Sequence, residues 1–355
     1  MKISRRKTRT VNIGRLSLGS GHPVAVQSMC KTKTSDVRAS LKQIKGLEKA
    51  GCEIIRVAVK DNADAKAIRE IKSGIKIPLV ADIHFHWQLA ITAIKAGADK
   101  IRLNPGNIHK LAEIKEIVAA LKDAGIPLRI GLNSGSVRDN PARSMSDKLV
   151  SSALDYIRTI EKLKFKDLVI SLKANNVLDT VEAYRKIACS CDYPLHLGVT
   201  ATGSPFTGAI KSTVAIGALL LEGIGDTIRV SLTDDPLREI EAARNILESL
   251  ELRRFGPQII SCPTCGRCGV DLVSIVKELE QKLSGYRGVS TEGKPVKVAV
   301  MGCVVNGPGE ALDADIGVAF GDKTGMFFKK GKAVRKVQYK DCVSVLLKEM
   351  EMING

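Results

Sequence analysis

"KIRLNPGNIHKLAEIKEIVAALKDAGIPLRIGLN", Lys100–Asn133, decides the fold. Its two ends, "KIRLNPG" and "PLRIGLN", are short apolar runs with polar residues at every second place. That is the pattern of a strand whose alternate side chains share one face. Between them, "LAEIKEIVAALKDAG" carries apolar residues three and four apart and ends on Gly125, a helix with its stop signal. Strand, helix and strand make one βαβ unit, which pairs its strands in parallel.

The same unit repeats on both sides. Upstream lie the strand candidates "AVQSM" (Ala25–Met29), "EIIRVAV" (Glu53–Val59) and "PLVADIH" (Pro78–His84). Downstream lie "DLVISLKA" (Asp167–Ala174), "PLHLGVT" (Pro194–Thr200) and "TIRVSL" (Thr227–Leu232). Eight βα repeats predict an α/β chain whose residues 1–252 form a (β/α)8 TIM-type barrel. A doubly wound open sheet is the competing architecture. No Gly-rich dinucleotide fingerprint follows the first strand, which argues against it. After Leu252 the rhythm breaks, and residues 253–355 read as a small α+β module.

Composition fits that plan. The chain has 355 residues, 44% of them hydrophobic but only 4% aromatic. The core must therefore be built from Ile, Val, Leu and Ala, the usual filling of parallel sheets. The 55 basic residues outnumber the 38 acidic ones, for a formal charge of +17. This balance favours anionic partners, although solvated helix faces account for many of the lysines. The opening "MKISRRKTRT" is basic, but no apolar stretch of signal-peptide length follows it, and no run approaches the ~18 residues of a membrane span. These features predict a cytoplasmic setting, where clustered cysteines mean metal or redox chemistry more often than disulfides.

In a barrel of this kind, function sits at the C-terminal ends of the strands. Polar residues recur there with period two: Arg56 alone, then the pairs Asp82 and His84, Arg102 and Asn104, Arg129 and Asn133, Ser171 and Lys173. His196 with Thr200, and Arg229 with Ser231, follow the same rule. Burying so many charges is unfavourable unless they serve something. Arginine forks suit phosphate oxygens, so the pattern predicts an anion-binding mouth for a small phosphorylated or diphosphorylated substrate.

The second chemical signal is "SCPTCGRCGVD", Ser261–Asp271, with Cys262, Cys265 and Cys268 at a three-residue step. Cys303 in "MGCVVNGPGE" is a candidate fourth thiolate. Spacing alone fits the opening run of an iron–sulfur site, a zinc ribbon, or free cysteines in a loop. Cys30, Cys52, Cys189, Cys191 and Cys342 lack partners at ligand spacing and read as structural.

The stretches "AVQSM", "VADIHF", "RLNPGNI", "PLHLGVT", "EGIGDTIRVSL", "CPTC" and "GCVVNGPGEA" together resemble the 4-hydroxy-3-methylbut-2-enyl diphosphate synthase family, in its usual bacterial type. The likeness runs from about Arg5 to the last helix. It implies an oxidoreductase of non-mevalonate isoprenoid biosynthesis. The implied substrate is 2-C-methyl-D-erythritol 2,4-cyclodiphosphate, opened and dehydrated with two electrons. The implied cofactor is a [4Fe–4S] cluster held by Cys262, Cys265, Cys303 and Glu310, so the resemblance replaces Cys268 with a carboxylate. An oxygen ligand holds cluster iron less firmly than a thiolate and can leave. Asp82 and His84 join Glu310 as the implied catalytic groups. Arg56, Arg102, Asn104, Arg129, Asn133, Lys173, His196, Arg229 and Ser231 are the implied substrate contacts. The resemblance also implies flavodoxin or ferredoxin as electron donor. It implies a homodimer in which the barrel of one chain faces the cluster domain of the other. One departure stands out: the family usually reads "HLGVTEAG", whereas this chain reads "HLGVTATGSP" and has Ala201 in place of the glutamate.

Two other classes are weighed against this reading. A nucleic-acid-binding protein with a four-cysteine zinc ribbon would suit the charge and the CxxCxxC run. No RNA-binding motif or aromatic stacking platform supports it, and the run "KKGKAVRK" reads as a solvated turn. The other is a cluster-free barrel enzyme acting on a phosphosugar or pterin.

Overall fold

A computed structural model describes residues 3–137, 144–200, 203–283, 296–304, 309, 311–321 and 323–354. The chain divides into two compact units, Met1–Arg253 and Arg254–Gly355.

The first unit opens with an antiparallel hairpin, β1 (Val11–Ile13) and β2 (Leu16–Leu18). Eight parallel strands follow: β3 (Ala25–Met29), β4 (Ile54–Val59), β5 (Leu79–Ile83) and β6 (Lys100–Leu103) come first. Then come β7 (Leu128–Asn133), β8 (Leu168–Lys173), β9 (His196–Leu197) and β10 (Thr227–Ile228). They form one sheet in the order β8-β7-β6-β5-β4-β3-β10-β9. A parallel bridge from Ile170 to Leu195 joins the two ends, and the sheet becomes a barrel. A helix follows each strand. The predicted α4 (Leu111–Ala124) ends where the sequence stops it, on a left-handed Gly125. The last two strands are shorter than the sequence suggests. Closure on the β8 side rests on that single bridge, so β9 keeps only two residues of regular pairing.

The hairpin seals the barrel at the N-terminal ends of its strands. Val11, Ile13 and Leu18 pack there against Ala25, Ile54, Val80 and Val169. The basic N-terminus is a set of staples at this end. Arg5 pairs with buried Asp226 at 2.6 Å, and Asp226 also accepts from the Leu195 backbone N–H. Arg6 donates to the carbonyls of Ala188, Cys191 and Tyr193. Arg9 pairs with Asp192 at 2.7 Å and lies over the Tyr193 ring.

The second unit is a five-stranded mixed sheet: β11 (Gln258–Ser261), β12 (Lys297–Met301), β13 (Ile316–Phe320), β14 (Thr324–Lys329) and β15 (Lys332–Gln338). The first three are parallel and the last two antiparallel. Helices α9 (Leu272–Leu283) and α10 (Cys342–Asn354) lay Leu272, Ile275, Leu279, Leu346 and Met350 against Val298, Val300, Ile316 and Val318. The run "TGMFFKKGKAVRKV" holds two strands. Lys330 and Gly331 both take positive φ, as a two-residue hairpin turn demands, and β15 is a charged edge strand.

Candidate functional site

The inward residues of the barrel strands gather at the C-terminal end as the alternation predicts. Asp82, only 2% exposed, organises one side. Arg102 Nη1 binds its Oδ1 at 2.9 Å, while Arg56 Nε and His84 Nε2 lie 3.6 and 3.3 Å from its Oδ2. Arg102 also donates to the Gly131 carbonyl at 2.9 Å. A Cβ on Gly131 would stand 2.5 Å from Arg102 Nε, so only glycine admits that guanidinium. Burial opposes ionisation of Asp82, but Arg56, Arg102 and His84 overcome it and hold the carboxyl well below the usual range. Burial, reinforced by Arg229 and Arg102 against the pull of Asp82, pushes Arg56 down to about 9, so it stays charged at neutral pH.

Deeper inside, Arg129 donates to Ser171 Oγ through Nε and Nη2, at 3.1 and 2.8 Å. Lys173 is 5% exposed and His196 fully buried. Burial and the surrounding cations, Arg129 first, push both well below their ordinary values. His196 is therefore neutral. Among the described residues, Arg102 Nε, Arg129 Nη1, Arg229 Nε and both ring nitrogens of His196 are buried without a hydrogen-bond partner. Buried donors without acceptors are rare in folded proteins, and here they converge on one interior.

Other expected residues hold the loops. Asn104 Oδ1 accepts from the Gly106 backbone N–H at 3.1 Å and from Ser136 Oγ at 3.2 Å. Asn133 caps the short turn Ser134–Ser136. Thr200 and Ser231 are half-buried, and the Thr200 N–H donates to the Ala174 carbonyl at 3.4 Å. Ala201 and Glu310 lie outside the described residues.

The sequence reading passed over Lys100 and Glu239. Lys100 is fully buried with its Nζ unpartnered, and burial, then Arg129 and Arg56, push it far down. It keeps the period of Arg102 and Asn104, which is the signal that would have found it. Glu239 is 1% exposed and sits on the apolar face of helix α8 (Pro236–Ser249), with Pro236, Ile240 and Ala243. A carboxylate in the apolar phase of a helix was its signal.

In the second unit, Cys262 follows β11 and Cys303 follows β12, two neighbouring parallel strands. The Gly302 backbone N–H donates to Cys262 Sγ at 3.3 Å. A Cβ on Gly302 would stand 2.4 Å from Cys268 Sγ and 3.5 Å from Cys262 Sγ, so a glycine is needed where those thiols converge. Cys268 Sγ donates to the Val270 carbonyl at 3.3 Å, and Cys265 is exposed. None of the four is in a disulfide. Among the described residues no group of three or more His, Cys, Asp or Glu is gathered as a metal site. The donor set thus suits iron in type and in placement on adjacent strand ends, without being drawn together. By contrast, burial pushes Cys30, Cys52 and Cys342 up to about 12, as structural thiols require. Cys189 is exposed.

A TIM-type barrel with a cationic mouth, followed by a module presenting thiols at parallel strand ends, defines the class: a two-unit α/β protein with an anion site and a thiol site. The chain belongs to the GcpE family. The GcpE TIM-barrel domain matches residues 8–244 and the GcpE C-terminal domain matches residues 258–352. It is 51% identical to the 4-hydroxy-3-methylbut-2-en-1-yl diphosphate synthase (flavodoxin) of Caldanaerobacter subterraneus subsp. tengcongensis, over 98% of this chain and 97% of that one. It is 48% identical to the enzyme of the same name from Fusobacterium nucleatum, over 97% and 96%. Among solved structures, dihydropteroate synthase from Stenotrophomonas maltophilia superposes with a TM-score of 0.53 at 14% identity, covering 69% of this chain and 98% of that one. That likeness is one of fold. No helix among the described residues is long and apolar enough to cross a membrane.

Proposed function

We propose that the chain catalyses the two-electron reductive opening and dehydration of 2-C-methyl-D-erythritol 2,4-cyclodiphosphate to 4-hydroxy-3-methylbut-2-enyl diphosphate. The observation that carries this is the 51% identity, over nearly the whole chain, to a relative bearing that name. The barrel, residues 1–252, takes the substrate; residues 253–355 carry the cofactor.

The mouth supplies what a cyclic diphosphate needs. Arg56, Arg102, Arg129, Lys173 and Arg229 bind the phosphate oxygens, and Arg102 Nε, Arg129 Nη1 and Arg229 Nε have no protein acceptor to give up. Asn104, Asn133, His196 and Ser231 orient the carbon skeleton. His84 is half-exposed, and its Nε2 faces Asp82 Oδ2 at 3.3 Å. Asp82 aligns the ring through that nitrogen, and His84 serves as the acid–base group toward the hydroxyl that leaves as water. Cys262, Cys265, Cys303 and Glu310 would hold a [4Fe–4S] cluster, which would supply electrons one at a time. The donor is flavodoxin or ferredoxin, acidic proteins that a chain of +17 charge attracts through its surface field. The working form is a cytoplasmic homodimer, with the barrel of one chain serving the cluster module of the other.

The test is turnover of the cyclodiphosphate by anaerobically purified protein with reduced flavodoxin. The expected result is 4-hydroxy-3-methylbut-2-enyl diphosphate, detected by mass spectrometry and dependent on reductant. Intact substrate after prolonged incubation of iron-loaded protein overturns the proposal.

A further inference from the structure

Glu239 has no part in the chemistry above, yet its carboxylate is buried at the rim. Its Oε1 accepts from the Leu232 backbone N–H at 3.1 Å and lies 3.4 Å from Lys31 Nζ. Its Oε2 accepts from Ser28 Oγ at 3.4 Å and lies 3.6 Å from Arg229 Nη2. These four groups come from β3, from the loop that follows it, and from the segment running from β10 into α8. Lys31 Nζ is fixed further by the Leu232 carbonyl at 2.8 Å and by the Asp234 carbonyl. Glu239 thus does for β3 and β10 what Asp82 does for β4, β5 and β6. Each buried carboxylate anchors cations from separate segments, and Arg102 Nε and Arg229 Nε are still left without protein acceptors.

We infer that Glu239 is a positioning residue that fixes Arg229 at the rim, with Lys31 as a strut, so that the Arg229 N–H left without a protein acceptor meets the diphosphate. The inference rests on the diphosphate reading of the mouth. Glu239 has an opposite possible action: as a counter-ion it competes with an anionic ligand for the same cations. The two actions differ in sign. A competitor, once neutralised, leaves a more positive mouth that binds anions more tightly. A positioning carboxylate, once neutralised, frees the cations to move, and binding weakens.

The experiment is calorimetric titration of the iron-loaded full chain with inorganic pyrophosphate. Glu239→Gln preserves shape and the acceptor for Leu232. We expect its Kd to rise ten- to a hundred-fold, the usual loss for a desolvated charge-assisted contact. In an Arg229→Lys background the same change should cost less than threefold, because its target is already gone. Additive losses mean a general structural role and overturn the inference, as does unchanged or tighter binding by Glu239→Gln. If Glu239→Gln does not fold, Glu239→Asp decides: it keeps the charge but draws the carboxylate back from Arg229, so weaker binding supports the inference and unchanged binding overturns it. Wild-type protein that ignores pyrophosphate overturns the diphosphate reading itself, and the inference with it.

Discussion

At the barrel mouth, Arg102 is held by Asp82 and by the Gly131 carbonyl, both at 2.9 Å, on strands whose positions the sheet fixes. At the tip of the C-terminal sheet, Cys265 is exposed on a loop, and no three metal-ligating groups among the described residues are gathered. The first site is assembled by the fold, with buried carboxylates holding cations in place before any anion arrives. The second offers thiols on adjacent strand ends and leaves their final placement to the metal. Preorganised charge lowers stability and strengthens binding. Thiolates gathered without a metal would repel one another, so a cluster site is better completed by its cluster.

This contrast sets the sizes of the expected effects. Cys303→Ser should lose the iron and all reductive turnover while leaving the thermal transition of the barrel in place. Cys268→Ser should keep both iron and turnover. Iron retained in the first variant breaks the ligand assignment, and iron lost in the second returns Cys268 to the ligand set. Asp82→Asn acts on the other unit. It strands Arg56 and Arg102 without their counter-charge, a change worth about 3–5 kcal/mol for a broken buried pair. Denaturant unfolding should show that loss in the barrel, with iron content unchanged. A loss much below ~1 kcal/mol would mean that water already screens the pair.

The smallest effect is a protonic one. Burial and neighbouring cations depress Lys100 and Lys173, so the unfolded chain binds more protons than the folded one. Barrel stability should therefore rise with pH towards the ordinary lysine value of about 10.4, and fall as pH drops from there through the folded values. A bound diphosphate restores a favourable field and raises both pKa values. Titration of the holoenzyme with pyrophosphate at a pH between the folded and the ordinary lysine values should accordingly take up protons, seen as a binding enthalpy that varies with the buffer. A buffer-independent enthalpy would mean that these amines keep one protonation state throughout.

The mouth was legible because strands announce their inward faces. Period two in "KIRLNPG", "PLRIGLN" and "DLVISLKA" marks Arg102, Arg129 and Lys173 without any structure. Lys100 obeys the same period but begins its strand, where a lysine reads as a solvated end. Glu239 was hidden because it reaches the site from a helix, and its register only becomes informative once that helix is docked. The three-residue strands of the N-terminal hairpin are too short for periodicity to register. Arg5, Arg6 and Arg9 read as net charge because the Asp226, Tyr193 and Asp192 groups they bind lie more than 180 residues away in sequence. The thiol spacing left cluster, zinc and free cysteine open, since the same step serves all three.

Anaerobic purification followed by a count of iron, zinc and acid-labile sulfide per chain tests the cofactor assignment most directly. About four iron and four sulfide, with broad brown absorbance, is the expected result. One zinc with no sulfide would make "SCPTCGRCGVD" a structural ribbon and contradict the reductive chemistry.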